Sequence, residues 1–326
     1  MATAIVAPTG QRTELGIDAE GFLESVTDPA GGTRTFEYEN GLMTAQHDYR
    51  SPAPAYAYDD VGRLSRVTSA AGHATDYAWS ETELGYRVTR TGPGGEVSEF
   101  SVESLEDGSR RMVNRTLGCS ENEVRYFNDG TQVATYADGT VVTEVEGPGA
   151  TWGMLAPIVA RQTIESPGGL VHEVATEETA TFASEGDPSS LIQETRTITI
   201  NDQRTYTSVY DAAAKELTTT SPEGRVTRRV IDDQGRPVRL QVHGLAPIRY
   251  EYDPTGRPSR IIAGEGTEER ITTLTYGTDG FLTRVTDPMG SAVRFERDIL
   301  GRPLAEILPG DRRIEMSWDP VSLLMS

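Results

Sequence analysis

Short runs in which apolar and polar side chains alternate with a period of two are separated by turn residues at near-constant intervals along this chain. Residues 280–297, GFLTRVTDPMGSAVRFER, show one such unit in full. Phe281, Thr283 and Val285 alternate with Leu282, Arg284 and Thr286, the pattern of a β-strand. Asp287-Pro288-Met289-Gly290 follows, with Pro in the second place and Gly in the fourth as in a type I turn. The chain then returns through 291–297, again rich in β-branched and aromatic residues. The predicted element is a β-hairpin.

The unit recurs. Gly21, Gly41, Gly62, Gly235, Gly256, Gly280 and Gly301 each open a unit that carries a pair of large side chains 15 and 17 residues further on. The pairs are Phe36/Tyr38, Tyr56/Tyr58, Tyr77/Trp79, Tyr250/Tyr252, Phe295/Arg297 and Met316/Trp318. Three extra loop residues after Gly256 move its pair to Leu274/Tyr276. A second turn links unit to unit, with Asp three residues before the glycine in Asp59–Gly62, Asp232–Gly235, Asp253–Gly256 and Asp298–Gly301. Placing the mid-unit glycine at the hairpin centre pairs Val26 with Phe36, Val67 with Tyr77, Leu240 with Tyr250 and Val285 with Phe295 across the strands.

A period this short means an array of small units, because a single hairpin is marginal in water and needs its neighbours. At about 21 residues per unit the chain would hold about 15 units and on the order of 30 strands. The expected fold is all-β, a long antiparallel hairpin meander that twist must coil. A single array over 1–326 is expected, with clear repeats at 18–79 and 231–318 and degenerate ones at 80–230. The alternative is a β-propeller, since two units match the four strands of a blade. Uniform loops, rather than long and short ones in alternation, favour the meander.

Tyr58-Asp59-Asp60-Val61-Gly62-Arg63-Leu64 and Tyr252-Asp253-Pro254-Thr255-Gly256-Arg257-Pro258 resemble the Tyr-Asp-x-x-Gly-Arg-Leu core of the Rhs/YD-repeat family. Asp28-Pro29-Ala30-Gly31 and Asp287-Pro288-Met289-Gly290 resemble its second half. The residues that carry the likeness are Tyr58, Asp59, Gly62, Arg63, Tyr77, Tyr252, Asp253, Gly256, Arg257, Asp287, Pro288, Gly290, Phe295 and Gly301, all read as structural. The resemblance implies a spiral β-shell. Bacterial members enclose a C-terminal toxin polypeptide in it, and animal teneurins carry a similar shell at the cell surface. A secreted or cell-surface location is implied on the same ground. The Asp-Pro-x-Gly-Leu core that closes many such shells is absent, and 318–323 start another unit without its glycine. A segment of a longer protein, or a truncated member, is expected.

Composition narrows the partners. The net charge is −20, and every basic residue except Lys215 is Arg, so nucleic acid is disfavoured as a partner. No apolar run approaches the ~20 residues of a membrane span, and 1–10 do not read as a signal peptide. One cysteine, Cys119, cannot form an intrachain disulfide. His47, His73, His172 and His243 lack metal-ligand spacing. Turn aspartates could suggest calcium, yet Asp28 and Asp287 are accounted for by capping the backbone. Asn114-Arg115-Thr116 fits a glycosylation sequon.

No catalytic, cofactor or metal residues are assigned, and no enzyme is expected. The function read from the chain is a structural scaffold or encapsulating shell segment whose partner is an enclosed polypeptide. One alternative is a carbohydrate-binding or adhesive module, with exposed Tyr and Trp stacking on glycans. The other is a glycoside-acting enzyme, which needs two suitably spaced carboxylates. The stretch 152–182 departs most from the repeat. It reads as two longer strands around Ser166-Pro167-Gly168-Gly169, or else as an excursion anchored by Trp152 and Met154.

Overall fold

The computed structural model describes residues 3–7, 10–48, 53–116 and 120–318. Those residues form 28 strands and two single-turn 3₁₀ segments, with the strands in one open antiparallel sheet. Ladders join consecutive strands, as where Val97–Ser104 pairs with Gly85–Thr91 on one side and Arg110–Thr116 on the other. A propeller would break the sheet into separate four-stranded blades. The continuous ladders exclude that alternative.

One turn makes most of the corners. In Asp28–Gly32 the Gly31 N–H donates to the Asp28 carbonyl and the Asp28 N–H to the Gly32 carbonyl, each at 2.9 Å. Gly31 has φ of +86°, so the corner is a type I turn closed by a left-handed bulge glycine. The same two bonds recur at Asp59–Arg63 and at Asp287–Ser291, so the two kinds of turn in the repeat are one structure. They also recur at Leu105–Ser109, Tyr136–Thr140 and Ser166–Leu170, where the first residue is not Asp. The fourth-place glycine, rather than the aspartate, defines the corner, and this carries the meander through the degenerate middle.

The expected cross-strand pairs are displaced. Val26 faces Arg34, Val67 faces Thr75, Leu240 faces Ile248 and Val285 faces Val293. The bulge glycine adds a residue on one side, so the hairpin centres on Ala30, one position before Gly31. The aromatic fifteen residues after the anchor instead meets the next unit: Tyr56 faces Val67, Phe36 faces Gln46 and Phe295 faces Glu306.

The described residues fall into two compact units, Met1–Tyr77 with Tyr250–Ser326, and Ala78–Arg249. In the first, the Gln11 amide donates to the Ile299 carbonyl at 3.1 Å, which brings the two ends of the array together. Neither unit has a thick core: the buried apolar residues are Ala45, Val113, Ala134, Ile262 and Ala305. Hydrogen-bonded ladders and half-buried faces carry the stability. Strands Gly153–Glu165 and Val171–Phe182 make 152–182 a pair of long strands around the turn at 166–169. Trp152 and Met154 are more than half exposed and do not anchor an excursion.

Candidate functional site: the repeat corner and the two faces of the sheet

Where a corner begins with aspartate, the carboxylate reinforces it. In Asp59 one carboxylate oxygen accepts from the N–H groups of Val61 and Arg63, and the other from the Arg63 guanidinium at 2.7 Å. Asp253 does the same for Thr255 and Arg257, and Asp232 and Asp298 repeat it with Arg236 and Arg302. The N–H of Arg63 is the largest influence holding the Asp59 carboxyl below the usual carboxylate range, and the guanidinium adds to it. Burial pushes Asp253 up, but the Thr255 hydroxyl and the Arg257 N–H and guanidinium outweigh it, leaving that carboxyl well below the usual range. These are carboxylates tied to structure and held ionised, the opposite of a general acid.

The side chain seventeen residues after the anchor has a role that size alone did not reveal. In the first three units compared, the Tyr38 hydroxyl donates to the Leu23 carbonyl at 3.1 Å, Tyr58 to Met43 at 2.7 Å and Tyr276 to Pro258 at 2.7 Å. The Trp318 indole donates to Pro303 at 2.7 Å and the Arg297 guanidinium to Leu282 at 3.4 Å. Several of these carbonyls sit beside a β-bulge. The register steps from Glu37↔Ala45 to Tyr38↔Met43, and from Glu296↔Ala305 to Arg297↔Pro303. A bulge takes backbone groups out of the ladder, and the donor restores a partner. The shared property of Tyr38, Tyr58, Tyr276, Arg297 and Trp318 is an N–H or O–H. The residue after the anchor covers that ring: Phe22 stacks on Tyr38 at 5.1 Å, and Arg257 lies 4.4 Å over Tyr276.

Other sequence-marked residues lie as follows. Gly62, Gly256, Gly290 and Gly301 have φ of +83°, +87°, +84° and +83°. Asp287 and Pro288 take the first two places of their turn. Tyr77 and Phe295 are half-buried in strands Ala74–Thr82 and Ala292–Arg297, and Tyr252 ends Ile248–Tyr252. His47 lies 2.8 Å from Glu37. Asn114 sits mid-strand in Arg110–Thr116 rather than in a loop. Among the described residues no group of His, Cys, Asp and Glu is placed to hold a metal ion. Cys119 and 319–323 lie outside the described residues.

In the unit Ala78–Arg249 the two faces differ sharply. Directly opposed residues run Tyr86, Val102, Met112, Val124, Ala134, Val142 and Ile164 across seven strands, so one face carries a continuous apolar row. Beside it Phe100, Met112, Val124 and Tyr126 help line a cavity of about 300 Å³. The alternate residues carry charge. Arg111 reaches Glu103 at 3.1 Å and Glu123 at 2.8 Å, and Arg115 reaches Glu121 at 2.6 Å. Tyr86, Phe100 and Met112 are 38–39% exposed whereas Ala134 in the row is buried, so the open apolar surface lies at the Tyr86–Met112 end.

A family model described as Teneurin YD-shell matches residues 2–325. The chain is similar to the toxin protein Tse5 of Pseudomonas aeruginosa, 32% identical over 348 residues that cover 97% of this chain and 23% of that protein. It is similar to Teneurin-1 of Gallus gallus, 20% identical over 347 residues that cover 99% of this chain and 12% of that protein. The chain thus spans less than a quarter of the length of these relatives. Among solved structures, a mutant Tc holotoxin pore of Photorhabdus luminescens matches with a TM-score of 0.60 at 12% identity, over 97% of this chain and 18% of that one. That last likeness shows the fold.

Proposed function

Because the chain belongs to the Teneurin YD-shell family, we propose that it is a length of shell wall that holds another polypeptide of the same longer protein against its apolar face. The observation that carries this reading is the apolar row from Tyr86 to Ile164, still exposed at Tyr86 and Met112 and backed by a face laced with Arg–Glu pairs. A one-layer sheet with one dry face gains by covering it, and a polypeptide lying along the row removes that surface from water. The similarity to a toxin protein supports a toxin as the enclosed partner. In this reading residues 1–326 form one array and the longer protein is secreted or displayed at the cell surface. The chain itself has no catalytic role: its recurring Asp, Arg and Tyr residues are engaged in corners and bulges.

The test is to co-express the chain with the segment that follows it in its native gene and to digest both with protease. Protection of that segment only in the presence of the chain supports the wall reading. Digestion at the same rate as the segment alone, with the chain intact, rejects it. An adhesive role draws on one observation, the exposed Trp79 and Tyr86 rings, tilted against each other with centroids 5.2 Å apart. Binding to a glycan panel that Trp79→Ala abolishes would favour it.

A further inference from the structure

We propose that the hairpin tip at 151–157 is a preformed docking knob for an apolar polypeptide surface flanked by Lys or Arg. The tip joins strands Val141–Gly149 and Gly153–Glu165. Their register jumps from Gly147↔Ile158 to Gly149↔Gly153, so 154–157 have only Pro148 opposite them and bulge out of the ladder. The pairing of Gly153–Glu165 with Val171–Phe182 spans Arg161↔Ala175 to Glu165↔Val171, and the tip lies beyond it.

The bulged residues are Met154-Leu155-Ala156-Pro157, every one exposed. Leu155 is 91% exposed, Met154 58% and Trp152 57%. Scattered exposed apolar residues are ordinary, but a contiguous run of Trp, Met and Leu on one tip is the composition of an interface centre.

The tip is held in shape at its base. The Thr151 hydroxyl donates to Glu194 at 2.8 Å, and the Ala150 N–H donates to Glu178 at 3.3 Å. Glu178 is itself almost wholly buried and is paired with Arg196. A Cβ on Gly149 would come within 2.5 Å of the Ala156 carbonyl, so only glycine lets the bulge fold down at that point. Polar groups of the neighbouring strands therefore fix an apolar crest before any partner arrives, which lowers the ordering cost of binding.

Charge selects the partner. Arg196 neutralises the buried Glu178 at the base of the tip, so the charge a partner meets there is that of Glu194. The chain as a whole carries −20. A partner surface rimmed by Lys or Arg is attracted, and an acidic one is repelled. The proposal is separate from the wall reading, because its residues are those of 151–157 and not those of the apolar row.

The experiment titrates the full chain into two fluorescein-labelled peptides with the same Leu/Phe apolar face, one carrying Lys and Arg and the other Glu, with anisotropy as the readout. At least tenfold tighter binding of the basic peptide is expected. At least a tenfold loss is expected in Trp152→Ala/Leu155→Ser, several-fold weakening in Gly149→Ala, and no change in Met289→Ser, an exposed turn residue. Circular dichroism confirms that each variant is folded, including the one at the buried Gly149. Equal binding of both peptides, no binding, or binding lost with Met289 instead of Leu155 overturns the proposal. So does Leu155-dependent sedimentation with zwitterionic vesicles, or Leu155-dependent dimerisation, without any preference between the peptides.

Discussion

Removing one oxygen atom tests the role of the tyrosine at the end of each unit. Tyr58→Phe keeps the ring and deletes the hydroxyl that donates to the Met43 carbonyl at 2.7 Å. The site is partly buried, so water replaces that donor poorly and the loss is about 1 kcal/mol. At ~2.1 cal/mol/K per residue, a chain of this length melting as one unit falls by about 1.5 °C. Two comparisons give the shift its meaning. Tyr276→Phe removes an equally short bond at an exposed site, where water substitutes, so its effect is less than half as large. Tyr56→Phe removes a hydroxyl that has no hydrogen-bond partner among the described residues, and its melting temperature stays within a few tenths of a degree of the parent. Melting followed by far-ultraviolet circular dichroism, on all three variants in parallel, reads the order. If Tyr56→Phe destabilises as much as Tyr58→Phe, these tyrosines serve only as apolar bulk and the bulge-capping argument is wrong.

Gly290 has φ of +84° and open space around it, so Gly290→Val is destabilising through backbone strain alone, by about 1–2 kcal/mol, whereas Gly290→Asn stays close to the parent in melting temperature. Tyr77 is half-buried, so Tyr77→Ala costs less than the ~3 kcal/mol of a fully buried aromatic; urea unfolding should give about half that. The Asp59, Asp232, Asp253 and Asp298 carboxyls are all lowered in the folded chain. As pH falls, the unfolded state binds protons first, so their stabilisation is complete above the unfolded value of about 3.9 and is lost as pH drops through the folded values. The urea midpoint should therefore fall steeply below about pH 4, and less steeply in Asp253→Asn.

Much of the fold is legible in the sequence because its strongest signals are local. Asp-Pro-Met-Gly at 287–290 names its own turn, and the period-2 runs on either side name the strands. The register is not legible by eye, since nothing in the letters says that Gly31 is a bulge residue rather than the centre of its hairpin; that single position shifts every cross-strand partner. The donor rule was visible but disguised. Tyr38, Tyr58, Trp318 and Arg297 look alike as large side chains, and only the bulged carbonyls opposite show that an N–H or O–H is the property retained. In the middle of the chain the turn at 166–169 is legible, but the corners at 105–109 and 136–140 are hidden because Leu105 and Tyr136 replace the aspartate while Gly108 and Gly139 keep the geometry. The knob at 151–157 required the three-residue register jump, a tertiary feature with no periodic signature.

Hydroxyl-radical footprinting of side chains tests most directly the claim that the apolar row faces a held polypeptide. The chain is oxidised alone and again after co-purification with the segment encoded downstream, and modification is read by mass spectrometry. Tyr86 and Met112 on the row and Phe100 beside it should lose most of their reactivity when that segment is present, while Met289 on its exposed turn stays as reactive as before. Unchanged oxidation of all three residues, in a complex that stays intact, would contradict the account.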